Sequence, residues 1–203
     1  RSKPVPSMHP GTMLGCMSFS STERARLAAL LIDAGPDAPT LCEGWDTRDL
    51  AVHLFLRENR PLATAGMFIP ALAGQLAKAS AKAGERDYAS LVREWAAGPG
   101  RLNPVRFIDR QMNTVEHFVH HEDVRRGDGV ARPREFSAVV NRQLYGALKM
   151  LAPRMLAKST APVILHPTGM PRIVAVDERG VSGDGESVVS VSGEVGELLL
   201  WVY

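Results

Sequence analysis

Residues 113–126 read NTVEHFVHHEDVRR and bring Glu116, His117, His120, His121, Glu122 and Asp123 into one short stretch. Imidazoles and carboxylates are the side chains that bind divalent cations and exchange protons near neutral pH. Which of them can act together depends on direction. On a helical wheel Ile108, Met112, Val115 and Val119 form one apolar stripe, with Val105 and Asp123 within or beside it. Glu116 lies just off that stripe, and His120 sits one turn later above it. Glu116, His120 and Asp123 therefore face the core edge, while His117, His121 and Glu122 face water. Side chains at i and i+4 are roughly 6 Å apart, so Glu116 and His120 can close on one ion. An inward carboxylate needs compensation, because an unpaired buried charge is costly. An arginine, a protonated His120 or a metal would each supply it.

His53 adds to the metal option. It sits in GWDTRDLAVHLFLREN, where Leu50, Ala51, Val52, Leu54, Phe55 and Leu56 make a helix apolar nearly all round. Such a helix is usually deeply buried, and its imidazole needs a partner. Facing helices of bundles build metal sites from inward side chains. His53, Glu116 and His120 would offer two nitrogens and one carboxylate oxygen. Three protein ligands with an open position is a catalytic zinc pattern, and the same set suits non-haem Fe(II). The bland readings stand beside this one: a lone helical His is often a packing residue, and E-x-x-x-H is often a surface ion pair.

The elements that must position these groups follow from period and punctuation. FSSTERARLAALLIDAG predicts a first helix, capped by Ser20 or Ser21, with Leu27, Leu30 and Leu31 inward. Asp46 or Thr47 caps the second, Asp49 suits its positive end, and Pro61 stops it. Residues 62–97 hold one or two Ala-rich helices, interrupted at Pro70, with Tyr88, Leu91, Val92 and Trp95 at helical spacing. After the turn GPGRLNP, the histidine-bearing helix spans about 105–126. A further helix spans about 134–158, with Phe136, Val139, Val140, Leu144 and Leu148 inward. From residue 159 the texture changes to short β-rich runs, PVILHP, RIVAVD and SVVSVS, before a terminal helix in GEVGELLLWVY. The fold class is mainly α: a helical bundle over 17–158 and a small α+β domain over 159–203, too small for much of a core of its own and so packed on the bundle.

Bulk properties narrow the function. A net charge of +2, with no basic patch interleaved with aromatics, argues against nucleic acid. No apolar run reaches transmembrane length. Cys16 and Cys42 have no paired spacing, which favours a reducing, cytoplasmic setting over a disulfide framework. Residues 1–16 read as an expression tag before Met17, so His9 and Cys16 carry no functional weight. HHEDVRR lacks the second His of a zincin, and GDGES lacks the lysine of a phosphate loop. Cys42 reads as a small buried hydrophobe, with metal binding or reactivity as the alternative. Trp45 reads as a packing anchor, Arg172 and Arg179 as surface charges, and His166 as structural unless it faces a pocket.

CEGWDTRDLAVHL and EHFVHHED resemble two signatures of the DinB-like superfamily, nearest the mycothiol-dependent maleylpyruvate isomerase-like proteins of actinobacteria. The first signature matches at Trp45, Asp49, Leu50 and His53, the second at Glu116, His120 and Asp123. The resemblance implies a DinB-like four-helix bundle and a divalent metal, usually zinc, with Ni2+ or Fe2+ as other candidates, on His53, Glu116 and His120. It implies a supporting role for Asp123 and a small C-terminal α+β domain ending in a Leu-rich helix. Relatives often continue beyond the position of Tyr203, where a further functional residue could lie. The implied partners are a small-molecule substrate and a low-molecular-weight thiol, by resemblance mycothiol, and a homodimer is compatible. The expected function is a zinc-dependent, thiol-using isomerase or S-transferase. Two alternatives stand beside it. One is a metal-dependent hydrolase on the same scaffold. The other is a non-catalytic metal-binding or stress protein, with His117, His121 or Cys42 as a fourth ligand.

Overall fold

A computed structural model describes residues 18–99, 110–177 and 188–203. The tag-like stretch 1–16, most of the turn over 98–104, the helix start at 105–109, Arg179 and GDGES lie outside the described residues. Within them the chain is mainly helical with one small sheet.

Helix α1 spans Phe19–Ala34. Its cap is Ser18, whose hydroxyl accepts from the Ser21 N–H, two residues ahead of the expected Ser20. The Ser21 hydroxyl instead donates back to the Ser18 carbonyl at 2.8 Å. Gly35, at φ 79°, ends the helix by donating to the Leu31 carbonyl, a left-handed conformation that glycine adopts without a Cβ penalty. Helix α2 spans Thr47–Asn59. Asp46 accepts from the Asp49 N–H, and the Asp49 carboxylate accepts from the Asp46 N–H, a reciprocal cap. Pro61 then opens a short α3, Pro61–Thr64, followed by tight turns at Ala65–Met67 and Pro70–Leu72. Helix α4, Ala73–Gly84, starts after the Pro70 interruption, and α5, Tyr88–Ala96, buries Tyr88, Leu91, Val92 and Trp95 as their spacing predicts.

Helix α6 spans Arg110–Arg125 and α7 spans Ala138–Met155. The start of α7 falls later than residue 134. Ser137 caps it by accepting from the Val140 N–H, and Arg134 is drawn off to ion pairs with Glu23 and Glu122. Leu144 and Leu148 are fully buried and Phe136 and Val140 partly so, but Val139 is 56% exposed. The buried stripe runs through Val140, Leu144, Ala147, Leu148 and Leu151, and Val139 lies a full 100° step to one side of it.

The remaining chain forms strands β1 Val163–Pro167, β2 Ile173–Val176 and β3 Val189–Gly193, then helix α8 Val195–Val202. The sheet order is β2-β1-β3, antiparallel on one side of β1 and parallel on the other. One core joins α1, α2 and α5 through residues such as Leu27, Leu50, Leu54 and Trp95. A second joins α6, α7, the sheet and α8 through Phe118, Leu148, Leu165 and Leu199. The C-terminal unit thus completes a core begun by the bundle, as its small size requires. Each fully buried Leu or Phe contributes about 1.5–3 kcal/mol by leaving water.

Helix α6 lies between the two cores: Val115, Phe118 and Val119 enter one, and Val124 the other. The loop before α2 is pinned to its end. The Leu41 N–H donates to the Asp123 carbonyl at 3.1 Å. At Gly127, any Cβ would collide with the Pro39 carbonyl. No helix among the described residues is long and apolar enough to cross a membrane. Because the Asp46 cap fixes the start of the His53 helix, Asp46→Ala should cost about 1 kcal/mol. A denaturant midpoint lowered by that energy divided by an unchanged m-value is the expected result; an unchanged midpoint would show that the cap does not hold α2.

Candidate metal centre

The central position of α6 explains a correction to the wheel reading. His117, His121 and Glu122 do not face water; they are 1%, 6% and 1% exposed. A one-faced wheel fits a helix at the surface, whereas this one is covered by α1 on one side and by α7 on another. Each of these three therefore meets a charged or polar partner from a neighbouring element.

His117 points to α1 and α2. Its Nδ1 lies 2.9 Å from the Ser20 carbonyl oxygen, and its Nε2 lies 3.6 Å from a Glu58 oxygen. Arg24 donates to both Glu58 oxygens at 2.6 and 2.8 Å, and the Trp95 indole N–H donates at 3.2 Å. His121 Nδ1 sits 2.9 Å from Glu23, which also receives Arg134 at 2.7 and 3.0 Å. Glu122 accepts from Arg125 at 2.8 Å and Arg126 at 2.7 Å, and Arg126 continues to Glu197 of α8 at 2.7 Å. In each case arginine forks neutralise the acid, the strong form of buried pairing.

The third histidine–acid set differs. His53 from α2 and Glu116 and His120 from α6 bring their ligand atoms within 4.8 Å of one another. His53 Nε2 lies 3.7 Å, and His120 Nε2 3.4 Å, from Glu116 Oε2. Ligands about 2.0–2.1 Å from a tetrahedral ion lie about 3.4 Å apart, so this spacing accepts a small divalent cation. Among the described residues, the arginine near Glu116 is Arg57, whose Nε lies 3.4 Å from Oε2 and whose NH1 is already given to Asn113 at 3.0 Å. Glu116 Oε2 and His120 Nε2 are both buried and, among the described residues, neither has a partner in hydrogen-bond geometry. At Glu58, by contrast, both acid oxygens are paired and only the His117 Nε2 is left over. An unpaired carboxylate oxygen beside an unpaired imidazole nitrogen is a donor set that fits a metal.

The surroundings orient that set. His120 Nδ1 lies 2.8 Å from Asp123 Oδ2, so a proton on Nδ1 leaves the Nε2 lone pair toward Glu116. Tyr203, at the end of α8, donates to Glu116 Oε1 at 3.3 Å. Burial would raise the Glu116 pKa, but contact with His120 and His53 and the charge of Arg57 hold it well below the usual carboxylate range. Burial would lower His120, yet Asp123, Cys42 and Glu116 together push it well above the usual imidazole value. Burial and the Glu116 charge push the Tyr203 phenol up. The pocket therefore favours positive charge at His120.

The sequence-predicted His53, Glu116 and His120 are thus brought together, with Asp123 in the expected supporting position. Trp45 packs its ring 5.3 Å from that of His53. Cys42 is half-buried rather than a buried hydrophobe. Its thiol donates to Asp123 Oδ2 at 3.3 Å, and with His120 and Asp123 it forms a second possible ligand group. His166 and Arg172 are exposed. The triad floors a cavity of about 510 Å³ that also involves Arg57, Met67, Phe68 and Tyr203. Arg57 follows His53 by one turn, a readable signal; Tyr203 reaches the site only through the return of α8, which no local pattern reveals. No protein-family model, curated protein or solved structure matches the chain.

The arginine-backed sets should show in acid. Burial would raise the Glu23 pKa, but hydrogen bonds and charge from His121 and Arg134 lower it from 4.5 to about 2. A depressed folded-state pKa contributes stability that is complete above about 4.5 and lost as pH falls toward 2. Glu23→Gln should remove a pH-dependent contribution on the order of 3 kcal/mol in that window. Equilibrium unfolding of both proteins from pH 6 to 2 tests it; parallel pH profiles would contradict the assignment.

Proposed function

We propose that this protein binds a divalent metal, zinc by preference, through His53, Glu116 and His120, and that it is a thiol-dependent isomerase or S-transferase acting on a small electrophile. The observation that carries the metal part is the convergence of three ligand atoms from two helices, one of them a buried carboxylate oxygen with no hydrogen-bond partner among the described residues. A DinB-like bundle belongs to the same reading. It is supported by the match of Trp45, Asp49, Leu50 and His53 to one signature and of Glu116, His120 and Asp123 to the other.

The protein groups have distinct tasks in this reading. His53 and His120 give neutral nitrogens and Glu116 one oxygen, leaving a position open toward the cavity. Asp123 holds the His120 ring so that Nε2 faces that position. Tyr203 occupies the other Glu116 oxygen and so leaves Oε2 as the ligating one. A divalent cation held there would lower the pKa of a small thiol so that the thiolate forms at neutral pH. Sulfur adds to an electrophilic alkene carbon, forming a C–S bond while the double bond becomes single. The electron pair of the broken π bond moves onto the electron-withdrawing group of the substrate. Rotation, return of that pair and loss of the thiolate give the isomer, whereas a proton taken up from solvent at the neighbouring carbon leaves the C–S bond in place and gives transfer. Trp45 and the turn that follows α3 wall the cavity on its apolar side.

Elemental analysis of purified protein should find about one zinc per chain. His53→Ala and Glu116→Ala should lose it, and His166→Ala, altered at an exposed strand position, should keep it. Asp123→Ala should weaken metal affinity by about 10–100-fold. Retention of metal in both ligand variants would overturn the site. For the thiol, mycothiol added to cobalt-substituted protein should produce a thiolate-to-cobalt absorption band; bound cobalt with no band would remove the thiol part and leave the metal part standing.

A further inference from the structure

We infer that the ligand this site accepts has a neutral, apolar alkyl or aryl body, which lies between Trp45 and the Met67–Phe68 turn while its head group sits at the triad. The inference rests on the metal-site reading above and adds the chemical class of what enters.

The first support is exposure. The segment between α2 and α4 is held in short turns by Pro61 and Pro70, and it displays its apolar side chains instead of burying them. Leu62 is 80% and Phe68 85% exposed, with Met67 and Ile69 about half exposed. Met67 and Phe68 line the cavity that the triad floors. A cluster of large apolar side chains at the mouth of a pocket with a polar floor is the arrangement of a binding rim.

The second support is charge. Apart from the triad histidines, Arg57 is the one cationic side chain lining the cavity among the described residues. Its Nε faces Glu116 and its NH1 is given to Asn113. Among the described lining residues, an anionic group on the body of the ligand would meet no uncommitted cation, and Glu43, which also lines the cavity, would repel it. A neutral body avoids both costs.

The third support is depth. A smaller cavity of about 190 Å³ shares Trp45, His53, Thr64 and Met67 with the first and is walled further by Val52, Leu56 and Leu76, with Asp49 and Ser80 as its other polar lining. Met67 lines both. Its unbranched side chain changes rotamer easily, so a longer apolar chain can pass it and gain contact with α2 and α4.

Straight-chain alkyl hydroxamic acids test this, because their head chelates a divalent cation and their tail can be lengthened one methylene at a time. On cobalt-loaded full-length protein the dissociation constant should fall by about four-fold per methylene. Met67→Ser and Phe68→Ser, both at exposed positions, should each reduce that gradient to less than about two-fold. Equal affinity across the series, or a gradient untouched by both substitutions, would overturn the inference while cobalt binding still stood. Failure to take up cobalt would instead count against the triad. Nile red, neutral and needing no cation, gives the independent arm: it should brighten with wild type and much less with either variant, and an equal response would again overturn the inference. If Phe68→Ser converts a dimer to a monomer in sedimentation and leaves the gradient unchanged, the rim belongs to a second copy and the inference fails.

Discussion

The carboxylate of Glu116 is held inside the bundle, 8% exposed, and something positive must sit beside it. That requirement organises the surrounding structure. His53 from α2, His120 from the next turn of α6, Arg57 and Tyr203 all converge on its two oxygens. None of the cationic groups closes on Oε2 in hydrogen-bond geometry. The fold thus concentrates positive character around the acid and stops short of completing the pair.

Helix α6 carries its own comparison. His117 and His121 also meet acids, Glu58 and Glu23, and there Arg24 and Arg134 fork onto the carboxylates. Those two sets tie α6 to α1, α2 and the chain before α7, and they account for themselves as structure. At Glu116, where Arg57 Nε stands 3.4 Å from Oε2, no such fork occurs among the described residues. Buried ion pairs that lose one partner are costly, so a cation that completes the set would stabilise the bundle as well as equip the site. The Arg126–Glu197 pair extends the frame to α8 and so keeps Tyr203 over Glu116. The C-terminal unit is in this way part of the site's support.

Much of the site was legible in the sequence because it depends on short periods. The i,i+4 spacing of Glu116 and His120 and the lone imidazole of His53 on an apolar helix both survive in the structure, and so do the caps at Asp46 and the breaks at Pro61 and Pro70. The misread positions share a cause. His117, His121 and Glu122 were expected at the surface because a wheel assumes one buried face, and α6 has neighbours on several. Val139 was expected inside because valine is apolar, though its angle lies off the α7 stripe. The α7 start was placed too early because the demand of Glu23 and Glu122 for Arg134 is tertiary. Tyr203 and the Met67–Phe68 rim belong to the same category: they depend on how distant segments return to α2 and α6, which no window of sequence encodes.

The central claim is that one cation completes the set of His53, Glu116 and His120. Anomalous diffraction from zinc-loaded crystals, recorded on both sides of the zinc absorption edge, tests it most directly. The account predicts a peak bonded at about 2.0–2.2 Å to His53 Nε2, Glu116 Oε2 and His120 Nε2, with His120 Nδ1 still held by Asp123. A peak on Cys42 and Asp123 instead, or well-ordered triad side chains with no peak between them, would contradict it.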